Sequence, residues 1–465
     1  MRARLRNPYV IFAVAAGANF IFAVDATIVA VGIPRIKDEL HTTLGWTGWV
    51  LTGSMLTQAI SMPIMGKLGD MFGHKRLFLL AVSLFALATL GASFAPNIYL
   101  LIACRLVQGV GGGGLAPLAV GIVGDTFTGK RRMTAVGLLS TANPLGSILG
   151  PNLGGLFIDH ISWRLIFLVN VPIAVVLLVL AVFAIPKITP DGKKHRIDVT
   201  GAGLLAAAAV SFLYGMTHWS NHPEAAPGAT VWLFFALAIL FALALYRHER
   251  RLDEPMVDFA LIFGRGFKVM NAFVFSVAFM TFAFFPFIPY YAENGYGLSA
   301  TGAGLIMTPR FMAAAVASIG CSLLLPRVGY RIPLVGAMLL FSAGMVLLST
   351  GQHEYSLIVF RATPVFLLVL ILILSGIAVG TVNPAVNNAA LDLMPERMSS
   401  VIGMRGMFRS MGGVVGTSTT VVVLSHFDDK VRGMEVVFFG LGMVALCLIP
   451  LVLTVPDTVR SRKKT

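Results

Sequence analysis

The chain has 465 residues, of which 57% are hydrophobic and only 12% charged. Soluble domains carry about 25% charged residues, so this composition excludes an ordinary water-soluble fold. A net charge of +14 would suggest nucleic acid in a soluble chain, but here the basic residues flank apolar runs, and no nucleic-acid partner is expected.

Apolar runs long enough to cross a bilayer as helices, roughly 18 residues or more, recur along the chain. Fourteen are found, at 8–33, 45–65, 77–94, 98–125, 133–158, 165–185, 199–216, 229–246, 269–291, 300–325, 333–349, 364–392, 400–424 and 436–455. The expected fold class is an all-α polytopic membrane protein embedded in the lipid bilayer. The first run follows basic residues, as a signal peptide would. It is too long and leads to no cleavage site, so it reads as a spanning helix. The seventh is short and Ala-rich, and with the eighth it reads either as two spans or as a re-entrant pair. Two blocks of six runs, 1–187 and 265–465, flank a segment, 188–264, that carries the two extra runs. Six plus two plus six suits two repeated bundles with an insert.

With the N-terminus placed in the cytoplasm, 25 Lys/Arg fall on that side, six outside and four within the membrane. The cytoplasmic groups include Arg2, Arg4 and Arg6, Lys130-Arg131-Arg132, Lys193, Lys194 and Arg196, Arg250-Arg251, and Arg462-Lys463-Lys464. That asymmetry is the positive-inside pattern, and it puts both termini in the cytoplasm. Arg247-His248-Glu249-Arg250-Arg251 reads either as a segment along the anionic inner leaflet or as a solvated linker. Cys104, Cys321 and Cys447 lie in apolar runs with no zinc or disulfide spacing. No nucleotide-binding loop, hydrolase triad or metal-ligand cluster stands out. Neither an enzyme nor a bound cofactor or metal is expected.

Four strings carry the chemistry. Asp25-Ala26-Thr27-Ile28-Val29-Ala30-Val31-Gly32-Ile33-Pro34 closes the first span. Gly66-Lys67-Leu68-Gly69-Asp70-Met71-Phe72-Gly73-His74-Lys75-Arg76 joins spans 2 and 3, where glycines permit a tight turn and Asp70 can pair with cations or cap a helix. Arg105-Leu106-Val107-Gln108-Gly109-Val110-Gly111-Gly112 lies in span 4, and an arginine in a bilayer demands a partner. Gly146-Ser147-Ile148-Leu149-Gly150-Pro151-Asn152-Leu153-Gly154-Gly155 lies in span 5. Its proline removes a helix hydrogen bond, and its glycines, one turn apart, admit a neighbouring helix. Close packing alone would also explain those glycines. Asp25 and Arg105 each lie eight or nine residues from the outer end of their span, so both sit about 12–13 Å below the outer surface at 1.5 Å per residue. Burial favours a protonated carboxyl, while a neighbouring arginine favours the ionised one.

Together these strings resemble the major facilitator superfamily, and within it the fourteen-span drug:proton antiporter branch. The span-5 string is similar to the G-x-x-x-G-P-x-x-G-G antiporter signature, and the span-4 string to R-x-x-Q-G-x-G. The span-1 string resembles D-x-T-I-V-N-V-A-L-P, with Ala30 and Gly32 departing from it. The loop resembles G-x-L-a-D-r-x-G-r-r, with Met71 and His74 at basic positions. Phe408-Arg409-Ser410-Met411-Gly412-Gly413 and Thr308-Pro309-Arg310 resemble less specific segments of the branch. The loop's second copy, Pro326-Arg327-Val328-Gly329-Tyr330-Arg331, lacks an acid.

The resemblance implies a two-bundle fold, alternating access, and export of small organic molecules driven by the proton motive force. It implies a monomer in the plasma (inner) membrane, with protons and a small-molecule substrate as partners. Asp25 and Arg105 would couple protons across a central cavity. Gly66, Asp70, Gly73, Lys75 and Arg76 would form an inner gate. Gly146, Gly150, Pro151, Gly154 and Gly155 would be the antiporter motif, and Gln108, Glu293, Arg310, Asn383, Asn387 and Arg409 the substrate cavity. Asp392 could serve Arg405. Arg310 has no obvious acid at its depth, and either contacts substrate or bonds to carbonyls, as does Arg409. Pro286, Pro289, Tyr290 and Tyr291 suggest either a bent aromatic gate or an interfacial belt. Excess positive charge in the second bundle points to neutral, zwitterionic or anionic compounds over permanent dications. Export of a lipid or metabolite, a transporter-like sensor and a membrane enzyme are the alternatives.

Overall fold

Each apolar run is helical wherever the computed structural model describes it. The description covers residues 7–128, 131, 135, 138–139, 142–186, 198–222, 227–252, 264, 267–351, 355–357, 360–362, 364–393 and 398–455; its side chains omit 70, 199, 326, 355–357, 360–362, 387–388, 390–393 and 398–403. Helices are the expected outcome, because lipid offers no partner to an open backbone N–H or C=O.

The helices are α1 (Pro8–Glu39), α2 (Leu44–Phe72), α3 (His74–Ser93), α4 (Ile98–Thr126), α5 (Ala142–His160) and α6 (Leu165–Ala184, interrupted at Val169). There follow α7 (Val199–Asn221), α8 (Ala229–Glu249) and α9 (Phe267–Tyr296, with a 3-10 turn at Phe285–Phe287). The last are α10 (Ala300–Leu305 and Met307–Val328), α11 (Arg331–Ser349), α12 (Pro364–Leu393), α13 (Met398–Ser425) and α14 (Lys430–Cys447, continued by Ile449–Leu453). Between α11 and α12 a hairpin pairs β1 (Tyr355–Leu357) antiparallel with β2 (Phe360–Ala362), a small exception to an all-helical chain. Starts are set by side-chain caps: Asn7 before α1, Thr43 before α2, Asn97 before α4 and Asp429 before α14 each accept a backbone N–H.

Among the described residues, twelve of these helices are long and apolar enough to cross a membrane. The other two, α2 and α5, are 29 and 19 residues long. Two expectations need correction. Pro34 does not end α1, which continues to Glu39. The glycine-rich loop shrinks to one residue: Gly73, at φ 93°, ends α2 and opens α3, whereas Gly66, Gly69 and Asp70 lie within α2. α7 and α8, at 23 and 21 residues, are each about 31 Å or longer.

The chain forms two compact units, Met1–Asp258 and Phe259–Thr465. In the first, α1 packs on α5, α2 on α4, and α3 on both α4 and α6. In the second, α9 packs on α13, α10 on α12, and α11 on both α12 and α14. The partnerships are the same, helix for helix, when numbering restarts at α9. A core of Val14, Ala18, Phe78, Phe85, Leu118 and Leu177 ties α1, α3, α4 and α6 together.

Small residues set the closest contacts, as expected where lipid provides no hydrophobic drive between helices. A Cβ on Gly146 would lie 2.6 Å from the Phe20 carbonyl oxygen, one on Gly150 2.2 Å from Thr27 Oγ1, and one on Gly154 2.9 Å from Ile28 Cγ1. On the matching pair, a Cβ on Gly412 would meet the Phe275 carbonyl at 2.3 Å and one on Gly416 the Phe279 carbonyl at 2.2 Å. One turn further, Thr420 replaces a third glycine and donates to the Ala283 carbonyl at 2.9 Å.

The extra hairpin, α7 with α8, belongs to the first unit. Its Thr217–Asn221 end is held to α2 by Trp49 Nε1 donating to Thr217 Oγ1 (2.6 Å) and Thr43 Oγ1 donating to Asn221 Oδ1 (2.7 Å). At its other end Asp198 caps α7 through the Gly201 N–H and meets His248 Nε2 at 2.8 Å, tying α7 to α8. Burial alone would raise the Asp198 carboxyl. The Gly201 N–H and the His248 ring outweigh it and hold the group below the ordinary carboxylate range.

Candidate functional site

Asp25 and Arg105 meet. Arg105 Nη1 donates to Asp25 Oδ2 at 2.9 Å, and both residues are buried, at 2% and 3% exposure for Arg105 and Asp25. α1 and α4 are in contact, and the pair lies 14 residues from the Glu39 end of α1 and seven from the Ile98 end of α4. Buried arginine needs more than one acceptor, and this one has four bonds. Nη1 also donates to Gln108 Oε1 (2.6 Å), Nη2 to Ser54 Oγ (2.9 Å) and Nε to the Val50 carbonyl (2.8 Å). The Phe167 ring of α6 lies 5.8 Å from the guanidinium carbon.

Gln108 bridges the pair. Its amide nitrogen donates to Asp25 Oδ1 (2.8 Å) and to Thr89 Oγ1 (2.7 Å), while its carbonyl oxygen accepts from Arg105. Thr89 in turn donates to the Phe85 carbonyl at 2.6 Å. Five helices, α1, α2, α3, α4 and α6, thus converge on one acid and one base. The glycines of α4 make this possible: a Cβ on Gly109 would lie 2.4 Å from the Ser54 carbonyl, and one on Gly111 2.6 Å from the Ala81 carbonyl. Gly155 and Pro151 are buried on α5 beside the glycine ladder already described.

The gate string holds its own unit. Lys75 Nζ donates to the Val182 (2.7 Å) and Ile185 carbonyls at the end of α6, a favourable place for a cation. Arg76 is exposed and Gly66 half-buried. His74, at a position basic in the resembled loop, meets Asp125 Oδ2 of α4 at 2.7 Å through Nδ1.

In the second unit Arg310 is on α10, while Arg405 and Arg409 are one turn apart on α13. Arg310, at 4% exposure, donates from Nε to Ser375 Oγ of α12 at 3.2 Å. Its guanidinium carbon sits 4.8, 5.5 and 5.9 Å from the Phe285, Phe311 and Phe284 ring centroids. It bonds to no carbonyl, and among the described residues no carboxylate pairs with it. Arg405 is half-buried, Arg409 exposed, Asn383 exposed, and Glu293 half-buried near the end of α9. By the glycine register, Arg409 lies level with about residue 272 of α9, some 18 Å along the helix from Phe284 at 1.5 Å per residue. Tyr291 packs edge-on against Phe438 and Tyr296 and is fully buried. The side chains of Asp70, Asn387 and Asp392 lie outside the described residues, as do Arg2, Arg4, Arg6, Lys130, Arg132, Lys193, Lys194, Arg196, Arg462, Lys463 and Lys464.

Several partners escape a reading by motif. Ser54, Thr89 and the Val50 carbonyl are ordinary in sequence and become site residues by packing. So do the phenylalanines and Ser375 around Arg310. At the C-terminal end of α1, Glu39 accepts from Trp163 Nε1 at 2.8 Å and pairs with Arg164, which stacks on the Trp163 ring at 4.6 Å.

Known proteins resemble this chain in sequence and fold. The chain is 28% identical over 409 residues to the multidrug transporter protein MdtP of Bacillus subtilis (strain 168), covering 88% of this chain and 74% of that one. It is 30% identical over 424 residues to multidrug resistance protein 3 of the same organism, covering 89% and 80%. In fold it is similar to the xylose transporter XylE from E. coli, partially occluded and inward open, with TM-score 0.64, 14% identity, and 97% and 98% of the two chains covered. The family model described as Major Facilitator Superfamily matches residues 15–268 and 270–465. With its paired helices and relatives over nearly its whole length, this multi-pass membrane transporter belongs to the Major Facilitator Superfamily.

Proposed function

We propose that the protein is a proton-coupled exporter of small, drug-like organic molecules, an antiporter working by alternating access in the plasma membrane. The observation that carries this reading is the buried Asp25–Arg105 pair with Gln108 bonded to both. A carboxylate held by a cation inside a membrane is a device for exchanging that cation for a proton. When a proton adds to Asp25, the ion pair is lost. Gln108 can still donate to the Asp25 carboxyl and accept from Arg105, so neither is stranded when the charge is lost. Arg105 retains Ser54 and the Val50 carbonyl. Losing the proton restores the pair.

The glycine ladder between α1 and α5 leaves no room for water at this contact. On this reading it keeps protons from leaking when no substrate moves. Gly66, Asp70, Gly73, Lys75 and Arg76 form the inner gate, with fourteen spans in a 6+2+6 order and both termini cytoplasmic. Drug-like substrates are supported by relatives named as multidrug transporters.

Proteoliposomes carrying an imposed pH gradient test the proposal. Wild-type protein should move protons when an exported compound is added. Asp25→Asn should abolish that coupling while still folding and binding the compound. Full gradient-driven export by Asp25→Asn would overturn it.

A further inference from the structure

Arg310 differs from Arg105 in a way that packing does not explain. It is 96% buried by its 4% exposure, yet among the described residues nothing negative faces it. One nitrogen, Nε, is bonded to Ser375. The terminal nitrogens Nη1 and Nη2 bond to no described protein atom, and neither is among the sealed, unsatisfied polar atoms. They therefore keep a small accessible surface with their donors unused.

Burying a charge without a counter-charge is expensive. Three aromatic faces recover part of that cost through their quadrupoles. They are rigidly placed: Phe285 packs edge-on against Phe311 at 5.5 Å, and Phe284 against Phe341 and Phe438 at 6.2 and 5.7 Å. The arginine's backbone is fixed as well, since a Cβ on Gly376 of α12 would lie 2.2 Å from the Arg310 carbonyl oxygen. Both helices that supply the cage are broken beside it. The 3-10 turn of α9 starts at Phe285, and α10 is interrupted at Ile306. Broken helices beside a buried ionisable group are characteristic of transporter binding sites.

We propose that Arg310, with Phe284, Phe285, Phe311 and Ser375, is a binding site for the carboxylate of an amphiphilic organic anion. This rests on the transport reading above and names the substrate class for the second unit. The free edge of the guanidinium offers two parallel N–H donors, which match the two oxygens of a carboxylate. The rings receive the apolar or aromatic body next to it. A permanent cation would meet Arg310 head-on and be repelled.

The probes are 1-pyrenebutyrate, the neutral 1-pyrenebutanol and a pyrenebutyl-trimethylammonium salt. Their binding to the purified full-length protein in detergent is read by fluorescence anisotropy against empty micelles, with no gradient present. Pyrenebutyrate should bind at least about tenfold more tightly than either control. Arg310→Gln should erase that advantage, and Arg310→Lys, which keeps the charge but loses the fork, should retain part of it. Equal binding of the three probes, or an unchanged preference in Arg310→Gln, overturns the proposal. If Arg310→Gln cannot be purified, undiminished binding by Arg310→Lys overturns it instead. Tighter binding of a matched dicationic probe, lost on Asp25→Asn or Glu293→Gln, would overturn it too. Because no gradient is used, the outcomes separate. Binding without proton-driven export sinks the antiport reading alone, and Asp25-dependent export without anion binding sinks this site alone.

Discussion

At the contact of α2 with α4, the arginine belongs to α4 and the serine to α2; at the contact of α10 with α12, the arginine belongs to α10 and the serine to α12. The glycines align the two contacts. Gly109 presses on Ser54 and Gly376 on Arg310, so Ser54 and Arg310 occupy matching places. Around Arg105 the first unit adds Asp25 and Gln108. Around Arg310 the second adds three phenylalanines and no described acid. Equivalent helix frames can therefore host opposite electrostatics, one closed on itself and one open to a ligand.

The sharpest way to break this contrast is to remove each arginine. Arg105→Gln leaves Asp25 buried without its counter-charge, which should cost about 3–5 kcal/mol. Arg310→Gln removes a cation that has no counter-charge, so stability should be unchanged or higher. Thermal unfolding in detergent compares the two, and equal losses would end the distinction.

The glycine ladders come next. Leucine at Gly150 or Gly416 would meet Thr27 Oγ1 or the Phe279 carbonyl with its Cβ alone, an overpacking worth about 1–3 kcal/mol. Both should unfold at lower temperature, but only Gly150→Leu should make proteoliposomes leak protons. Normal expression, export and proton tightness in both Gly150→Leu and Gly154→Leu would show that the antiporter string has no sealing role.

A smaller effect is expected at Thr420. Thr420→Val removes its bond to the Ala283 carbonyl, worth about 0.6 kcal/mol between membrane helices. A loss as large as that of Gly416→Leu would mean that this threonine, not close approach, fixes the α9–α13 contact.

The smallest effect is a pH dependence confined to the first unit. Asp198 is held below the ordinary carboxylate range, so its contribution is complete above its unfolded value of about 3.9 and fades as pH falls through the lower folded one. Wild-type α7 and α8 should loosen in acid, and Asp198→Asn should flatten that acid limb. Hydrogen exchange on these helices reads it; an unaltered limb would place the acid response elsewhere.

Much of this was legible in the sequence. Helix positions followed from apolar length, because a membrane leaves the backbone one economical solution. Asp25 and Arg105 do meet, but the count that put them at one depth took Pro34 as a span end, and α1 runs on to Glu39. The rest depended on azimuth. Which residues face Arg105 around α2 and α3 is set by helix rotation, and Ser54 and Thr89 carry no local mark of it. The Arg310 cage was hidden for the same reason, since phenylalanine is common in apolar runs and only packing selects Phe284, Phe285 and Phe311. The gate string misled because glycines that permit a turn also permit close packing within a helix, and only Gly73 uses the positive φ.

The hairpin of α7 and α8 has a consequence for where this polypeptide tolerates a cut. It falls in the first compact unit, with bonds to α2 and between its own ends. A gene split after Leu252 would give two fragments, each keeping its internal helix pairs. A split ahead of Asp198 would sever the hairpin from the helix it is stapled to and assign it to the wrong fragment. The chain's natural seam lies behind the insert.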